Sequence, residues 1–389
     1  MRIRSLRQVK NLSGRRVFLR VDFNVPVVKG KIMEDYKIAS GLESIKLLTK
    51  AGAKLIVATH LGDPKRKSQA YSTRPLALRL KKLLKQPVIF CPAVSGPLLA
   101  KAASRLKPGQ ILFIENIRFH PGEKANDEAF ARELASLADI YVNDAFAVSH
   151  RPQASVGAIK GFLPAYAGLL LEAEVKAFAK ALKPQPPLVV VMGGAKISTK
   201  APLISRLLSR ASHILIGGAL ANNFFKYSGR QIGRSLYDSD SAQFIKPFFT
   251  RGRLNPKLLL PVDVVVSSAR GPRLKSPGSV KRNESIMDIG PATISLFAEK
   301  IKAAATLVWN GPLGKFEEPS FRQGTLSIAR LIASRAGGPA FGLVGGGETV
   351  AALKLTKMEE YVDWVSTAGG AGLAYLGGEP MPGLEGIIK

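Results

Sequence analysis

Short apolar runs rich in Val, Ile and Leu recur along the chain. Each closes on Gly or polar residues and leads into a stretch with helical spacing. In the first half the runs cover 17–21, 54–59, 88–90, 111–114 and 140–142; in the second, 188–192, 213–216, 258–260, 306–309, 341–344 and 361–365. Continuous rather than alternating apolar runs mark strands covered on both faces, and their alternation with helices marks parallel βαβ units. The predicted fold class is therefore α/β, with two doubly wound parallel-sheet (Rossmann-like) domains joined by a hinge helix. Leu171, Val175, Phe178 and Leu182 give 166–182 a helical spacing, which Lys183-Pro184-Gln185-Pro186-Pro187 must stop. Domains are expected at 1–168 and 188–375, with 169–187 as connecting helix and linker. The stretch 267–284, where Arg270, Arg273, Lys275, Lys281 and Arg282 sit among Gly, Pro and Ser, shows no period and reads as a solvated loop.

Composition changes this picture in two ways. At 389 residues the chain exceeds a single ordinary core, which agrees with two domains. Lys and Arg number 57 against 28 Asp and Glu, a formal net charge of +29, which favours anionic partners. The basic residues are dispersed and aromatics make up 7%, so base-stacking platforms are scarce and no specific nucleic-acid partner is expected. No apolar run approaches the roughly 18 residues of a membrane span, and Met1-Arg2-Ile3-Arg4-Ser5 lacks the apolar core of a secretory leader behind it. A lone cysteine, Cys91, cannot form an internal disulfide, which suits a reducing cytoplasm. One cysteine and four scattered histidines also leave no zinc-site spacing.

In parallel α/β sheets ligands bind beyond the carboxyl ends of the strands, so the residues after each run are the informative ones. In the first half these are Arg20, Asp22 and Asn24, then His60, Arg118 and His120, then Asn143, Asp144, His150 and Arg151. Guanidinium, imidazole and amide groups together suit a small anion bearing carboxylate, hydroxyl and phosphate. The second half differs in kind. Its runs end in Gly193-Gly194-Ala195-Lys196, Gly217-Gly218, Asn310-Gly311-Pro312, Gly345-Gly346-Gly347-Glu348-Thr349 and Thr367-Ala368-Gly369-Gly370. Glycine at a strand-to-helix turn lets backbone N–H groups approach phosphate oxygens at a helix N-terminus. Repetition at successive strand ends points to a nucleotide.

Neither the P-loop pattern nor a well-placed Gly-x-Gly-x-x-Gly is present, which argues against a P-loop enzyme and a dinucleotide dehydrogenase. An anion-binding domain hinged to a nucleotide-binding domain suits phosphoryl transfer, which needs water excluded as the halves close.

Ten ordered stretches resemble the phosphoglycerate kinase family. They are Arg20-Val21-Asp22-Phe23-Asn24-Val25-Pro26, His60-Leu61-Gly62, Glu115-Asn116-Ile117-Arg118-Phe119, Val142-Asn143-Asp144-Ala145-Phe146 and His150-Arg151, then Gly193 through Lys200, Leu260-Pro261-Val262-Asp263, Asp288-Ile289-Gly290-Pro291, Trp309-Asn310-Gly311-Pro312 and Gly345-Gly346-Gly347. The resemblance implies reversible transfer between 1,3-bisphosphoglycerate and ADP, giving 3-phosphoglycerate and ATP, by hinge closure and in-line transfer. It implies Mg2+ carried with ATP or ADP, and a cytoplasmic monomer without membrane partners. It maps the triose site onto Asp22, Asn24, Lys37, His60, Asp63, Arg118 and Arg151. The nucleotide site maps onto Lys200, Gly311, Glu317, Gly346, Gly347, Glu348 and Thr349, with Glu348 facing the metal. Lys37, Lys196, Gly369 and Gly370 fall where the family attends the migrating phosphoryl group. The tail 376–389 is expected to pack back on the first domain.

Four positions depart from the family pattern. Lys37 replaces an arginine, keeping the charge but losing the bidentate fork. Asp63 replaces the arginine of His-Leu-Gly-Arg-Pro, turning a substrate-binding cation into an anion; neighbouring Lys65, Arg66 or Lys67 are candidates to restore the charge. Glu348 replaces an aspartate, and its extra methylene moves the carboxylate oxygens. Ala368 replaces a glycine, where a methyl would crowd the backbone if positive φ were required. These departures leave a second reading, a kinase-derived nucleotide or triose-phosphate binding protein with weak or no turnover.

Overall fold

The structure, a computed structural model, describes residues 2–388. It divides into two compact units, Met1–Lys176 with Pro380–Lys389, and Ala177–Glu379. The division falls within the helix Leu169–Leu182, and the returning tail begins at Pro380, four residues after the expected 376.

The first unit holds β1 (Arg16–Val21), β2 (Lys54–Ala58), β3 (Val88–Cys91), β4 (Ile111–Ile114), β5 (Ile140–Asp144) and β6 (Ala165–Ala167). They pair in the order β3-β4-β2-β1-β5-β6, all parallel. Alternate residues of the central strand go to opposite faces. Val17, Leu19 and Val21 enter a core with Leu55, Val57, Ile111, Phe113, Ile140 and Val142, while Phe18 packs beside Tyr141 on the other face. Arg20 shares that other face and is fully buried, so its charge must be answered inside the fold. Its Nε donates to Ser155 Oγ at 2.9 Å, and Ser155 in turn donates to Glu123 at 2.7 Å. Within this unit the tail is tied down: Gly383 N donates to Ser149 O at 2.8 Å, and Asn143 Nδ2 donates to Gly383 O at 3.0 Å.

The second unit holds β7 (Leu188–Met192), β8 (His213–Ile216), β9 (Leu258–Leu259), β10 (Thr306–Asn310), β11 (Phe341–Gly345) and β12 (Trp364–Ser366), paired in the order β9-β8-β7-β10-β11-β12. All are parallel, and strand order reverses between β7 and β10, the switch point at which such sheets bind ligands. Val189, Val191, Leu307, Trp309 and Val344 meet the apolar face of the helix Gln323–Ala336, through Ile328, Ala329, Ile332 and Ala333.

Two readings are corrected. Residues 166–182 are not helical throughout, because Ala165–Ala167 forms the edge strand β6 before the helix starts at Leu169. Nor is 267–284 simply a loop: Arg273–Lys275 pairs with Val264–Ser267, which pairs with Ser285–Ile289, in a small antiparallel sheet. Lys275 closes onto the buried Glu284 at 2.7 Å. A three-residue strand is too short to show a period.

Candidate active site

In the first unit, Asp22 and Asn24 follow β1 and His60 follows β2, so adjacent strands deliver them to one sheet edge. Asp22 Oδ2 accepts from Lys37 Nζ at 2.6 Å, and its other oxygen lies 3.7 Å from His60 Nδ1. Burial pushes the Asp22 carboxyl up, but Lys37, His60 and Arg20 outweigh it and hold it below its ordinary value. His60 is buried. Desolvation drives its pKa well down against the pull of Asp22, with Arg20, Arg118 and Lys37 adding to the fall, so the ring is neutral near pH 7. Arg20 Nη2 stands 3.3 Å from Nδ1 and can only donate, which assigns the ring proton to Nε2.

The loop after His60 is fixed from both sides. Gly62 N donates to Asn24 Oδ1 at 2.8 Å, and Gly62 O accepts from Arg118 Nη1 at 2.6 Å. Gly62 has φ +60°, and a Cβ there would lie 2.5 Å from the Tyr71 ring, so both backbone and space demand glycine. Arg118 is itself buried, and its Nε has no hydrogen-bond partner among the described residues. Asp63 is exposed, with Oδ1 3.7 Å from Arg118 Nη1 and in closer contact with Lys124 Nζ. Arg151 is exposed and its Nε lies 3.2 Å from His150 Nε2; it reaches Asp63 and Arg118 through its field. A larger groove, of about 1270 Å³, lies elsewhere in this unit beside the helix Arg74–Leu84, and none of these residues lines it.

In the second unit the glycines at the switch point let two strand ends touch. Gly193 N donates to Asn310 O and Gly194 N to Pro312 O, both at 3.0 Å. A Cβ on Gly193 would sit 1.9 Å from Pro312 O, a distance no side chain can share. Gly311 N donates to Thr349 Oγ1 at 2.7 Å, and Asn310 Nδ2 donates to Gly345 O at 2.8 Å, joining the third strand end. Gly346 and Gly369 open the helices Gly347–Lys354 and Gly370–Gly377 at φ +101° and +53°. Lys196 precedes the helix Ile197–Leu208, whose first N–H is answered by Asp238 Oδ2 at 2.8 Å. Helix N-termini gathered at strand ends suit phosphate.

Lys200 lies on the buried side of that helix, and its Nζ donates to Asn310 Oδ1 and to Asn310 O at 3.3 Å. Burial lowers its pKa to about 8, against the opposing pull of Glu348. Glu317 and Glu348 are exposed on a cleft of about 420 Å³ walled by Ala219, Phe225, Leu236, Met287 and Leu313. An apolar slot with a few polar groups at its mouth suits a base and ribose. Ala368 is buried and is not among the residues with positive φ, so its methyl costs no backbone strain. The room is taken instead at Gly372, where a Cβ would lie 2.7 Å from Phe178 Cζ and 3.2 Å from Ala368 Cβ.

Several strand-end polar residues serve the scaffold. Arg20 answers Ser155, His120 stacks on Phe130 with centroids 3.8 Å apart, Asn143 holds the tail, and Asp144 accepts from Leu171 N at 3.0 Å to cap the helix Leu169–Leu182. Lys124, Asn310 and Asp288 were not singled out from sequence. Lys124 lies five residues past the end of its motif, while the two others lie inside recognised stretches marked chiefly by their glycines.

The family model described as phosphoglycerate kinase matches residues 6–379. Phosphoglycerate kinases of Syntrophobacter fumaroxidans and Roseiflexus castenholzii are each 42% identical, over 97% and 96% of this chain and 96% of each relative. The solved structure of phosphoglycerate kinase from Coxiella burnetii superposes with a TM-score of 0.85 at 37% identity, covering 99% of this chain and 98% of that one. That of the Pyrococcus horikoshii enzyme gives 0.85 at 31%, over 98% and 97%. With its glycine cradle, its cationic basin and residues 6–379 accounted for, the chain belongs to the phosphoglycerate kinase family.

Proposed function

We propose that this chain transfers the acyl phosphate of 1,3-bisphosphoglycerate to ADP, reversibly, with the triose held in the first unit and the nucleotide in the second. The observation that carries the reading is the contrast between the two strand-end clusters: Lys37 and His60 around Asp22, with Arg118 on the Gly62 loop, in one, and glycine turns beside Lys200 in the other. Asp22 and neutral His60 address hydroxyl and carboxylate groups of the triose, and Arg118, with its unmet Nε–H, addresses an oxyanion. Lys200 and the N–H groups at Gly346–Thr349 take the nucleotide phosphates, and Glu317 takes the ribose. Lys37, Lys196 and the Gly369-Gly370 turn neutralise charge on the phosphoryl group in flight. Such a transfer needs little covalent help, and positioning with charge stabilisation supplies most of the acceleration.

Glu348 fits a magnesium ion that arrives with the nucleotide. Its carboxylate is exposed on the cleft, makes no ion pair among the described residues, and no cluster of three acidic, His or Cys side chains exists there to form a cage. Magnesium is ordinarily held by one or two carboxylates plus phosphates. When bound it would screen the charge on the phosphate oxygens. Among the described residues no helix is long and apolar enough to cross a membrane, and the single buried cysteine suits a reducing cytoplasm. The test is a coupled assay with 3-phosphoglycerate and MgATP. Turnover is expected; folded protein that binds both ligands without turnover would favour the binding-protein reading.

A further inference from the structure

The charge inversion at Asp63 has a partner. Asp63 sits on the loop that Asn24 and Arg118 pin at Gly62, with its side chain 69% exposed. Three cations surround its carboxylate. Lys124 makes the direct contact, Arg118 Nη1 lies at 3.7 Å, and Arg151 acts through its field. Lys65, Arg66 and Lys67, the sequence neighbours expected to restore the cation, are exposed and form no ion pair with it among the described residues. Lys124 comes instead from the short helix Pro121–Ala125, with its side chain 48% exposed.

We propose that Lys124 neutralises Asp63 and so keeps Arg118 and Arg151 available to an anionic substrate. The proposal rests on the triose reading above. Lys124 is then a positioning residue, acting through Asp63 rather than on the substrate. The burial of Arg118 gives the reason. Arg118 is 4% exposed at its side chain, spends Nη1 on Gly62 O, and has an Nε donor that nothing among the described residues satisfies. An uncompensated carboxylate 3.7 Å away would pair with that guanidinium and repel an incoming phosphate or carboxylate. Lys124 holds Asp63 by direct contact and cancels its charge, so the pair presents no net anion to the basin.

The test is a double-mutant cycle on the full chain. Lys124→Met should raise KM for 3-phosphoglycerate about five-fold, the effect of one like charge near 4 Å in water, with kcat and the KM for MgATP close to wild type. Asp63→Asn should not raise that KM, and Lys124→Met should cost nothing further in the Asp63→Asn background. An equal penalty in both backgrounds would overturn the proposal and make Lys124 a direct substrate contact; no penalty in either would overturn it as well. Calorimetric binding of 3-phosphoglycerate separates the two levels. A wild type that binds no 3-phosphoglycerate sinks the triose reading together with the pairing. A wild type that binds it as tightly as Lys124→Met does sinks the pairing alone.

Discussion

Lys37 Nζ stands 2.6 Å from Asp22 Oδ2, so this ammonium is engaged by a carboxylate of its own unit. Asp22 is 8% exposed at its side chain and Lys37 30%, so the contact is largely sheltered from water.

An ammonium that serves Asp22 has no second planar donor to offer the transferring phosphoryl group. A guanidinium has: one N–H can stay on Asp22 while the parallel one addresses a phosphoryl oxygen. Lys37→Arg should therefore raise kcat about three- to ten-fold, with the KM for MgATP unchanged, which places the gain in the transition state. Steady-state kinetics in both substrates checks this. A kcat at or below wild type would mean that Lys37 is not the limiting phosphoryl contact.

Lys200 carries a pH signature. Its pKa is lowered to about 8 because burial penalises the ammonium more than Glu348 supports it. Below that value the protonated side chain attracts nucleotide phosphate, and above it the charge is lost. The KM for MgATP should be flat from pH 6.5 to 7.5 and rise beyond pH 8, although bound phosphate will draw the inflection upward. Lys200→Arg, with a guanidinium that does not titrate in this range, should abolish the rise. A wild-type KM that stays level to pH 9.5 would remove Lys200 from the phosphate site.

How much of this was legible beforehand depends on the range over which each signal acts. The strand β7 announces itself because every residue of a doubly covered strand is apolar, a local property. Gly193, Gly311 and Gly346 are equally legible, since a close approach or positive φ leaves a mark in the sequence itself. Edge strand β6 was hidden because three residues beside a helix carry no period. Lys124 was hidden for another reason. Asp63 and Lys124 are sixty-one positions apart, and a pairing across two strand-end loops exists only once the sheet order is known. The same holds for Asp144, which reads as a strand-end acid and proves to be the buried cap of the helix Leu169–Leu182.

Asp288 makes the last prediction, on stability. It ends up 3% exposed at the back of the nucleotide cleft, accepting from Ile289 N at 2.9 Å and Gly324 N at 2.8 Å. The chain packs against it so closely that a Cβ on Gly314 would lie 2.2 Å from Oδ1. Burial raises its pKa to about 7 despite the two N–H donors, whereas an unfolded aspartate titrates at 3.8. Between those values the native chain holds a proton that the unfolded chain has released, so this group's contribution to stability falls as pH rises from about 4 to 7. A shift of about three units corresponds to at most about 4 kcal/mol. Asp288→Asn removes the titration but turns an amide N–H toward one backbone donor, at a cost of about 1–3 kcal/mol. The variant should therefore melt below wild type at pH 5, and the gap should narrow or reverse by pH 7.5. Because Gly314 and Gly324 flank Glu317, the variant should also raise the KM for MgATP while leaving that for 3-phosphoglycerate unchanged. Parallel melting curves across that pH range would show that Asp288 is ionised in the native fold and would withdraw the prediction.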